Sequence, residues 1–219
     1  ESLYATYEQI ERDSLLIDGI KKMQKTGLHF DMSNFFNAPT LSSRIIKNGN
    51  KITFKDRIEP LSCQYEENLN LPWKIEQEKT KINSYDTQKA TLNFGGRVWE
   101  AWFTTEIPIQ EGPYKFFGLP GLIIKIEDEA QNFSWKLIGN KKYHSEAGLE
   151  KYDYYESQEN GNKLPIFPKK KCLSILDDVR KNYFSNIMQM FDNPDAQLIQ
   201  SLREDHKRMQ KIFDENDNK

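Results

Sequence analysis

The sequence predicts an α+β protein: a curved antiparallel sheet, bowl-like or half-barrel, with an N-terminal helix and two C-terminal helices. Apolar and polar side chains alternate in several runs of the central part, which is the period of half-buried strands. At both ends of the chain, apolar residues recur at helical steps of three and four. Strands grouped between helices favour an antiparallel α+β arrangement. We expect one domain over residues 1–219, with the sheet core at about 42–140 and the helical part at about 170–215.

The helices are predicted from their apolar stripes. The first covers residues 3–24, and Gly27 is a suitable C-terminal stop. The second covers residues 172–191, and a last, more charged helix follows Asn193-Pro194-Asp195. Residues 28–41 are expected to form a loop with aromatic anchors.

The strands are predicted from alternation and turn signals. The first half is expected to hold strands at Arg44–Lys47 and Lys51–Ile58 around an Asn48-Gly49 turn, a polar loop at Gln64–Asn70, and one long bent strand at Ile82–Phe94. A reversal at Gly95-Gly96 leads into a strand at Arg97–Thr104. Leu122, Ile124 and Ile126 then alternate with Ile123, Lys125 and Glu127, and an antiparallel hairpin joins this run to residues 132–137. Residues 140–168 are expected to be a long connector with one further strand at Tyr152–Ser157.

A glycine- and proline-rich corner lies between two of these strands. Pro120 and Gly121 suit the second and third positions of a type II turn over Leu119–Leu122, which requires a left-handed backbone at Gly121. The residues to which we assign a structural motif are Gly112, Pro113, Gly118, Leu119, Pro120 and Gly121. Folding explains the glycines and prolines of this corner, and we assign them no catalytic role.

Composition and motifs exclude several functions. The 31 basic and 33 acidic residues give a net charge of -2, which argues against a nucleic-acid partner. No apolar stretch approaches 18 residues, so we expect no transmembrane segment. His29, His144 and His206 lack metal-ligand spacing. No nucleophile elbow or phosphate loop is present, so we assign no catalytic residue, metal or cofactor.

Four side chains are the candidates for ligand binding: Arg97, Trp99, Trp102 and Lys115. Trp99 and Trp102 are three residues apart, so on a regular strand they face opposite sides of the sheet. Arg97 shares a face with Trp99, where it is expected to stack on an aromatic ring or pair with a buried acid. Either these residues line an aromatic pocket for an apolar or amphipathic molecule, or they pack the sheet against a helix.

The segment around the corner resembles a known family. Residues 118–123 spell GLPGLI, and Ala101-Trp102-Phe103-Thr104, Ile107-Pro108 and Gly112-Pro113-Tyr114-Lys115-Phe116 precede it. Together they resemble the GLPGLI family of Gram-negative bacteria over most of residues 40–140. Two features depart from the family pattern: the chain begins near the first helix, without the usual leading strand, and no Cys lies near Thr87 or Gln88.

The resemblance implies an exported protein, located in the periplasm or at the outer membrane after removal of a signal peptide. It implies no activity, because the family is largely uncharacterised. The expected function is a non-enzymatic binding or interaction module, with an apolar or amphipathic small molecule or another cell-envelope protein as partner.

Two other functions stay open: a hydrolase or glycan-processing enzyme using converging carboxylates such as Glu100, Glu106 and Asp128, and an envelope-protein interaction scaffold. The pairing of Cys63 with Cys172 is also left open by the sequence.

Overall fold

A computed structural model describes residues 1–27, 43–58, 61–141 and 165–189, and also residues 193, 195–196, 199–200, 202–204 and 206–207. Its elements are β1 (Ser2–Tyr4), α1 (Tyr7–Thr26), β2 (Arg44–Asn48), β3 (Lys51–Ile58), β4 (Leu61–Asn68), β5 (Lys74–Ile82), β6 (Tyr85–Phe94), β7 (Arg97–Thr104), β8 (Leu122–Asp128), β9 (Ser134–Lys136) and α2 (Lys169–Met188). None of the described helices is both long and apolar enough to cross a membrane.

The strands form two antiparallel sheets, which confirms the α+β prediction and divides the expected single sheet in two. One sheet has the order β1-β2-β3-β4, and the other has the order β5-β6-β7-β8-β9. In the second sheet each strand pairs antiparallel with its neighbour in the chain. Short turns join β5 to β6, β6 to β7 and β8 to β9, whereas the longer loop of residues 105–121 joins β7 to β8.

The chain divides into two compact units. One comprises Glu1–Tyr4, Lys47–Ile52 and Asn68–Glu146 and contains the five-stranded sheet, so we call it the sheet unit. The other comprises Ala5–Ile46, Thr53–Glu67 and Ala147–Lys219 and contains both helices, so we call it the helical unit. The prediction of one domain over the whole chain stays a prediction.

The core of the sheet unit lies on one face of the five-stranded sheet. Strands β6 and β7 contribute Ala90, Leu92, Trp99, Ala101 and Phe103, and β8 contributes Ile123 and Ile126. The loop between β7 and β8 covers this face with Phe116 and Leu119, which are 0% and 1% exposed. The face of β7 that carries Trp99 is therefore filled by side chains of that loop.

A bulge changes the predicted alternation of β8. Trp102 pairs with Lys125 but Phe103 pairs with Ile123, which leaves Ile124 as the extra residue. Ile123 and Ile126 consequently share the core face, whereas simple alternation placed Ile124 with Ile126. Sequence periodicity cannot detect such a bulge, because it arises from the register with β7.

Two strand predictions are wrong. Residues Gln64–Asn70 were expected to form a loop, but β4 covers most of them, with Cys63 and Tyr65 buried between polar neighbours. The single strand at Ile82–Phe94 is instead the second half of a hairpin, because β5 and β6 pair across a turn at Asn83 and Ser84. Asn83 has a φ of 55°, a left-handed conformation that Asn tolerates better than most residues.

Both long helices agree with the prediction, apart from their ends. α1 begins at Tyr7, since Ser2–Tyr4 form β1, and it ends at Thr26. The next residue is Gly27, whose φ is 68° and whose N–H donates to the Met23 carbonyl. Residues 196, 199–200, 202–204 and 206–207 are helical, as expected for the last helix. The predicted loop at 28–41 and strand at Tyr152–Ser157 lie outside the described residues.

A disulfide and a buried ion pair hold the helical unit together. Cys63 of β4 and Cys172 of α2 form a disulfide, which resolves the alternative that the sequence left open. In the same unit Arg44 of β2 pairs with Asp13 of α1, and both side chains are almost fully buried. Removal of either charge would take away the opposite charge that offsets the burial of the other.

The glycine- and proline-rich corner folds differently from the predicted type II turn. The Gly121 N–H donates to the Leu119 carbonyl at 2.7 Å, which makes a three-residue turn around Pro120. The left-handed glycine is Gly118, with a φ of 90°. Gly121 is required for close packing instead, because a Cβ there would lie 1.9 Å from the carbonyl oxygen of Thr104.

Candidate functional site

A buried lysine fixes the loop between β7 and β8. Lys47, at the end of β2, is 2% exposed, and its ammonium donates to the carbonyls of Gly112 at 2.7 Å and Phe116 at 3.2 Å. The carboxylate of Glu111 lies 2.7 Å from the same ammonium. Burial lowers the pKa of Lys47, although the neighbouring Glu111 acts in the opposite direction. The lysine thus ties the loop to the strand at three points.

A pocket of about 320 Å³ lies beside this lysine, within the sheet unit. β1, β8 and β9 form its walls, together with the loop that follows β7. The residues that line it are Ser2, Leu3, Tyr4, Lys47, Glu111, Gly112, Pro113, Leu122, Ile123, Ile124, Trp135, Lys136 and Leu137. The lining is mainly apolar and has a few polar groups, which is the usual composition of a small-molecule site.

Aromatic rings support one wall of the pocket. Trp135 lies nearly parallel to Tyr114, with an interplanar angle of 8° and 6.2 Å between ring centroids. Its indole N–H donates to the hydroxyl of Tyr4 at 3.2 Å. Behind it lies Phe116, whose centroid is 4.7 Å from that of Trp99. Trp135 is therefore held by rings on one side and contributes to the pocket lining on the other.

Arg97 makes both of the contacts that were considered for it. Its guanidinium donates to Asp128 at 2.8 Å and lies 4.8 Å from the ring centroid of Phe133. Asp128 also accepts bonds from the Phe133 N–H and from Asn132. Burial acts to raise the pKa of Asp128, but these hydrogen bonds and Arg97 outweigh it and hold the pKa below its usual range.

The two tryptophans of β7 face opposite sides of the sheet, as expected. Trp99 is in the core, and its indole donates to the Phe94 carbonyl at 2.9 Å. Trp102 lies on the other face, where its indole donates to Glu100 at 3.0 Å and Lys89 lies 5.7 Å from its ring centroid. Both rings are less than 10% exposed, so each is largely covered by its neighbours.

The four side chains predicted to bind a ligand do not converge. Lys115 is 4% exposed and lies in the loop, 5.7 Å from the Tyr114 ring centroid. Arg97, Trp99, Trp102 and Lys115 are all absent from the pocket lining, whereas Gly112 and Pro113 of the structural motif belong to it. Ligand binding by the four remains a prediction.

The three carboxylates considered for hydrolysis are engaged separately. Glu100 pairs with Lys89 at 2.6 Å, and Glu106 accepts a hydrogen bond from the Asp86 N–H. Asp128 pairs across the sheet with Trp99 and Glu100 with Glu127, so the Glu100 and Asp128 side chains lie on opposite faces. Within the described residues, no group of three or more His, Cys, Asp or Glu is arranged to hold a metal.

Sequence reasoning missed Lys47, Glu111 and Trp135. The available signals are a lysine directly after the apolar pair Ile45-Ile46 and an acid directly before the Gly112-Pro113 corner. Neither signal predicts the pairing, because the two residues are 64 positions apart and meet only in the fold.

Comparison with known proteins gives a family match over part of the chain. No curated protein matches it. Two solved structures, titled "Structure of PNGF-II in C2 space group" and "Structure of PNGF-II in P21 space group", are 15% identical and have TM-scores of 0.46 and 0.45. They cover 70% of this chain, but the chain spans only 28% of theirs. Residues 96–125, which include β7 and the corner, match a family described as "Protein of unknown function (Porph_ging)", and this match is compatible with the GLPGLI resemblance.

Proposed function

We propose that the protein is a non-enzymatic binding module, exported to the periplasm or the outer membrane, whose sheet unit binds an apolar or amphipathic small molecule. The pocket beside Lys47 is the single observation that carries the proposal. Its volume of about 320 Å³ lies at the lower end of the range for small-molecule sites. The proposal of export rests on the GLPGLI resemblance alone.

The location of the pocket supports this function better than the predicted aromatic face does. Phe116 and Leu119 fill the face of β7 that carries Trp99, which leaves little room for a ligand there. The pocket instead lies among Leu3, Trp135 and Leu137, whose apolar surface would favour an apolar ligand body. The ion pair between the buried Lys47 and the half-buried Glu111 keeps the loop side of the pocket in place.

A pocket-filling substitution tests the proposal. Leu3→Trp adds a large ring at the pocket wall, and Leu15→Trp is the matched control at a residue of α1 that is 55% exposed. Native mass spectrometry against neutral amphiphiles, fatty acids and short apolar peptides is expected to find saturable one-to-one binding. We expect Leu3→Trp to weaken it at least about tenfold, which is 1.4 kcal/mol, and Leu15→Trp to leave it unchanged. Absence of binding in every class, or equal binding by both variants, would contradict the proposal.

The carboxylate-based alternative gains no support from the geometry. Two carboxylates that act together on a glycosidic bond lie about 5–10 Å apart on one cleft. Glu100 and Asp128 occupy opposite faces of the sheet, and each has its own cationic partner. The interaction-scaffold alternative concerns residues 140–168 and the last helix, most of which lie outside the described residues.

A further inference from the structure

Two buried polar atoms of the pocket can take a hydrogen bond from an occupant. The hydroxyl oxygen of Ser2 has no hydrogen-bond partner within the described residues, and the Oε2 atom of Glu111 is buried with the Lys47 ammonium as its contact. Both residues line the pocket. Buried polar atoms are nearly always satisfied by protein, water or ligand, so two such atoms in one pocket indicate what its occupant must supply.

The polar end of the pocket consists of Ser2, Lys47 and Glu111, and its net charge follows from the contacts of the two charged residues. Glu111 Oε2 lies 2.7 Å from the Lys47 ammonium, so the two charges offset each other, and a carboxylate oxygen with one such partner can accept a further hydrogen bond. The Lys47 ammonium is directed at the carbonyls of Gly112 and Phe116. The N–H donors of Lys47 are therefore occupied by the loop, and the group that remains available to a ligand is the Glu111 carboxylate.

We infer that the pocket selects a neutral amphipathic molecule whose polar head is a hydrogen-bond donor, such as an alcohol. An ionised carboxylate accepts hydrogen bonds and cannot donate them, whereas the Ser2 hydroxyl can do both, so a hydroxyl head satisfies both atoms. A carboxylate head would face the Glu111 oxygens without a donor between them. An ammonium head would lie beside the buried Lys47 ammonium, which already pairs with the Glu111 carboxylate. This inference rests on the proposed function, because it names the ligand class of the same pocket.

Three ligands that share a ten-carbon alkyl chain and differ in their head group test whether the pocket selects a neutral head: 1-decanol, decanoate and decylammonium. Isothermal titration calorimetry with the full chain at pH 7 is expected to show decanol binding at least about tenfold tighter than either ion, or 1.4 kcal/mol. Equal binding of all three, as expected if water satisfies Ser2 and Glu111, would overturn the inference and leave the proposed function standing. If none of the three binds, the inference is also overturned, and the wider ligand panel then decides the proposed function.

Substitutions at the polar end sharpen this test. Glu111→Gln supplies an amide donor, so decanoate is expected to gain at least about threefold relative to decanol. Ser2→Ala removes one acceptor and is expected to weaken decanol severalfold while leaving decanoate unchanged. Glu129→Gln, an exposed acid outside the pocket, is the charge-matched control and should keep the wild-type ratio.

An unchanged decanol-to-decanoate ratio in folded Glu111→Gln would overturn the inference. Circular dichroism establishes whether each variant is folded. If Glu111→Gln does not fold, Ser2→Ala and the wild-type ratio decide the outcome, because neither disturbs the ion pair with Lys47.

Discussion

Two glycines of the corner illustrate how residues in one motif serve different purposes. Gly118 supplies a left-handed backbone, with a φ of 90° and open space around the position of a Cβ. Gly121 lies where β7 passes directly behind it, so a Cβ would meet the Thr104 carbonyl oxygen. The sequence shows that glycines are needed at this corner, but only the fold distinguishes a backbone requirement from a packing requirement.

Gly121→Ala is expected to destabilise the protein by at least about 3 kcal/mol, because the methyl group must displace main-chain atoms of β7. Gly139→Ala is the matched control, since nothing lies within 4 Å of a Cβ there and its φ is not left-handed. Urea denaturation of both variants measures the difference. Equal midpoints for the two would contradict the packing described for Gly121.

Asp128 is expected to contribute stability that depends on pH. Its pKa in the folded protein lies below the unfolded value of about 3.9, so the contribution is present above that pH and is lost as the pH falls through the folded pKa. We expect Asp128→Asn to reduce the free energy of unfolding by about 1–3 kcal/mol at pH 7, because it removes the charged partner of Arg97.

The difference between wild type and Asp128→Asn should begin to shrink as the pH falls below about 4, where the carboxylate of the unfolded chain takes up a proton, and should shrink further until the pH passes the lower pKa of the folded protein. Denaturation curves from pH 7 to pH 2.5 measure it, and Asp86→Asn, at an exposed aspartate of β6, serves as the control. A difference that stays constant with pH would show that the ion pair with Arg97 is not the cause.

Among the elements, strands in which apolar and polar side chains alternate can be predicted from the sequence, whereas strands rich in polar residues cannot. β2, β3, β7 and the β8–β9 hairpin follow from apolar side chains at every second position and from turn residues. β4 was missed because the face that carries the buried Cys63 and Tyr65 continues with a charged residue, Glu67. Glu67 gains its partner, Lys169 of α2, only in the fold.

The disulfide between β4 and α2 is expected to stabilise the helical unit. Cys63 and Cys172 are 109 residues apart, and closing a loop of that length corresponds to about 4–5 kcal/mol in the loop-entropy account. The double variant Cys63→Ala with Cys172→Ala should therefore unfold at much lower urea concentration than the wild type.

Addition of a reductant during unfolding provides an independent check of the same bond. Wild-type protein that is unfolded with dithiothreitol should approach the midpoint of the double variant, and the variant itself should not respond. If wild-type protein and the double variant unfold at the same midpoint without reductant, the bridge adds no stability.

At the scale of the whole molecule, the candidate site could not be read from the sequence, because it is assembled from distant segments. β1, β8, β9 and the residues before the corner each contribute to its lining, and β2 contributes Lys47. Local sequence instead pointed to Arg97, Trp99, Trp102 and Lys115, whose crowding is explained mainly by packing and ion pairing. Sequence reasoning thus reached the fold class, and the fold was required to find the pocket.

The central claim is that a small amphipathic molecule binds in the pocket beside Trp135. The four indole N–H groups provide separate reporters, because Trp73, Trp99, Trp102 and Trp135 donate to four different acceptors. The direct measurement is a titration with 1-decanol followed by the indole resonances in ¹H–¹⁵N NMR spectra, with Trp135→Phe assigning the reporter. The account predicts a saturable shift that is largest for Trp135 and smallest for Trp102, on the opposite face of the sheet. A largest shift at Trp102, or no shift at Trp135 with any ligand that binds, would contradict it.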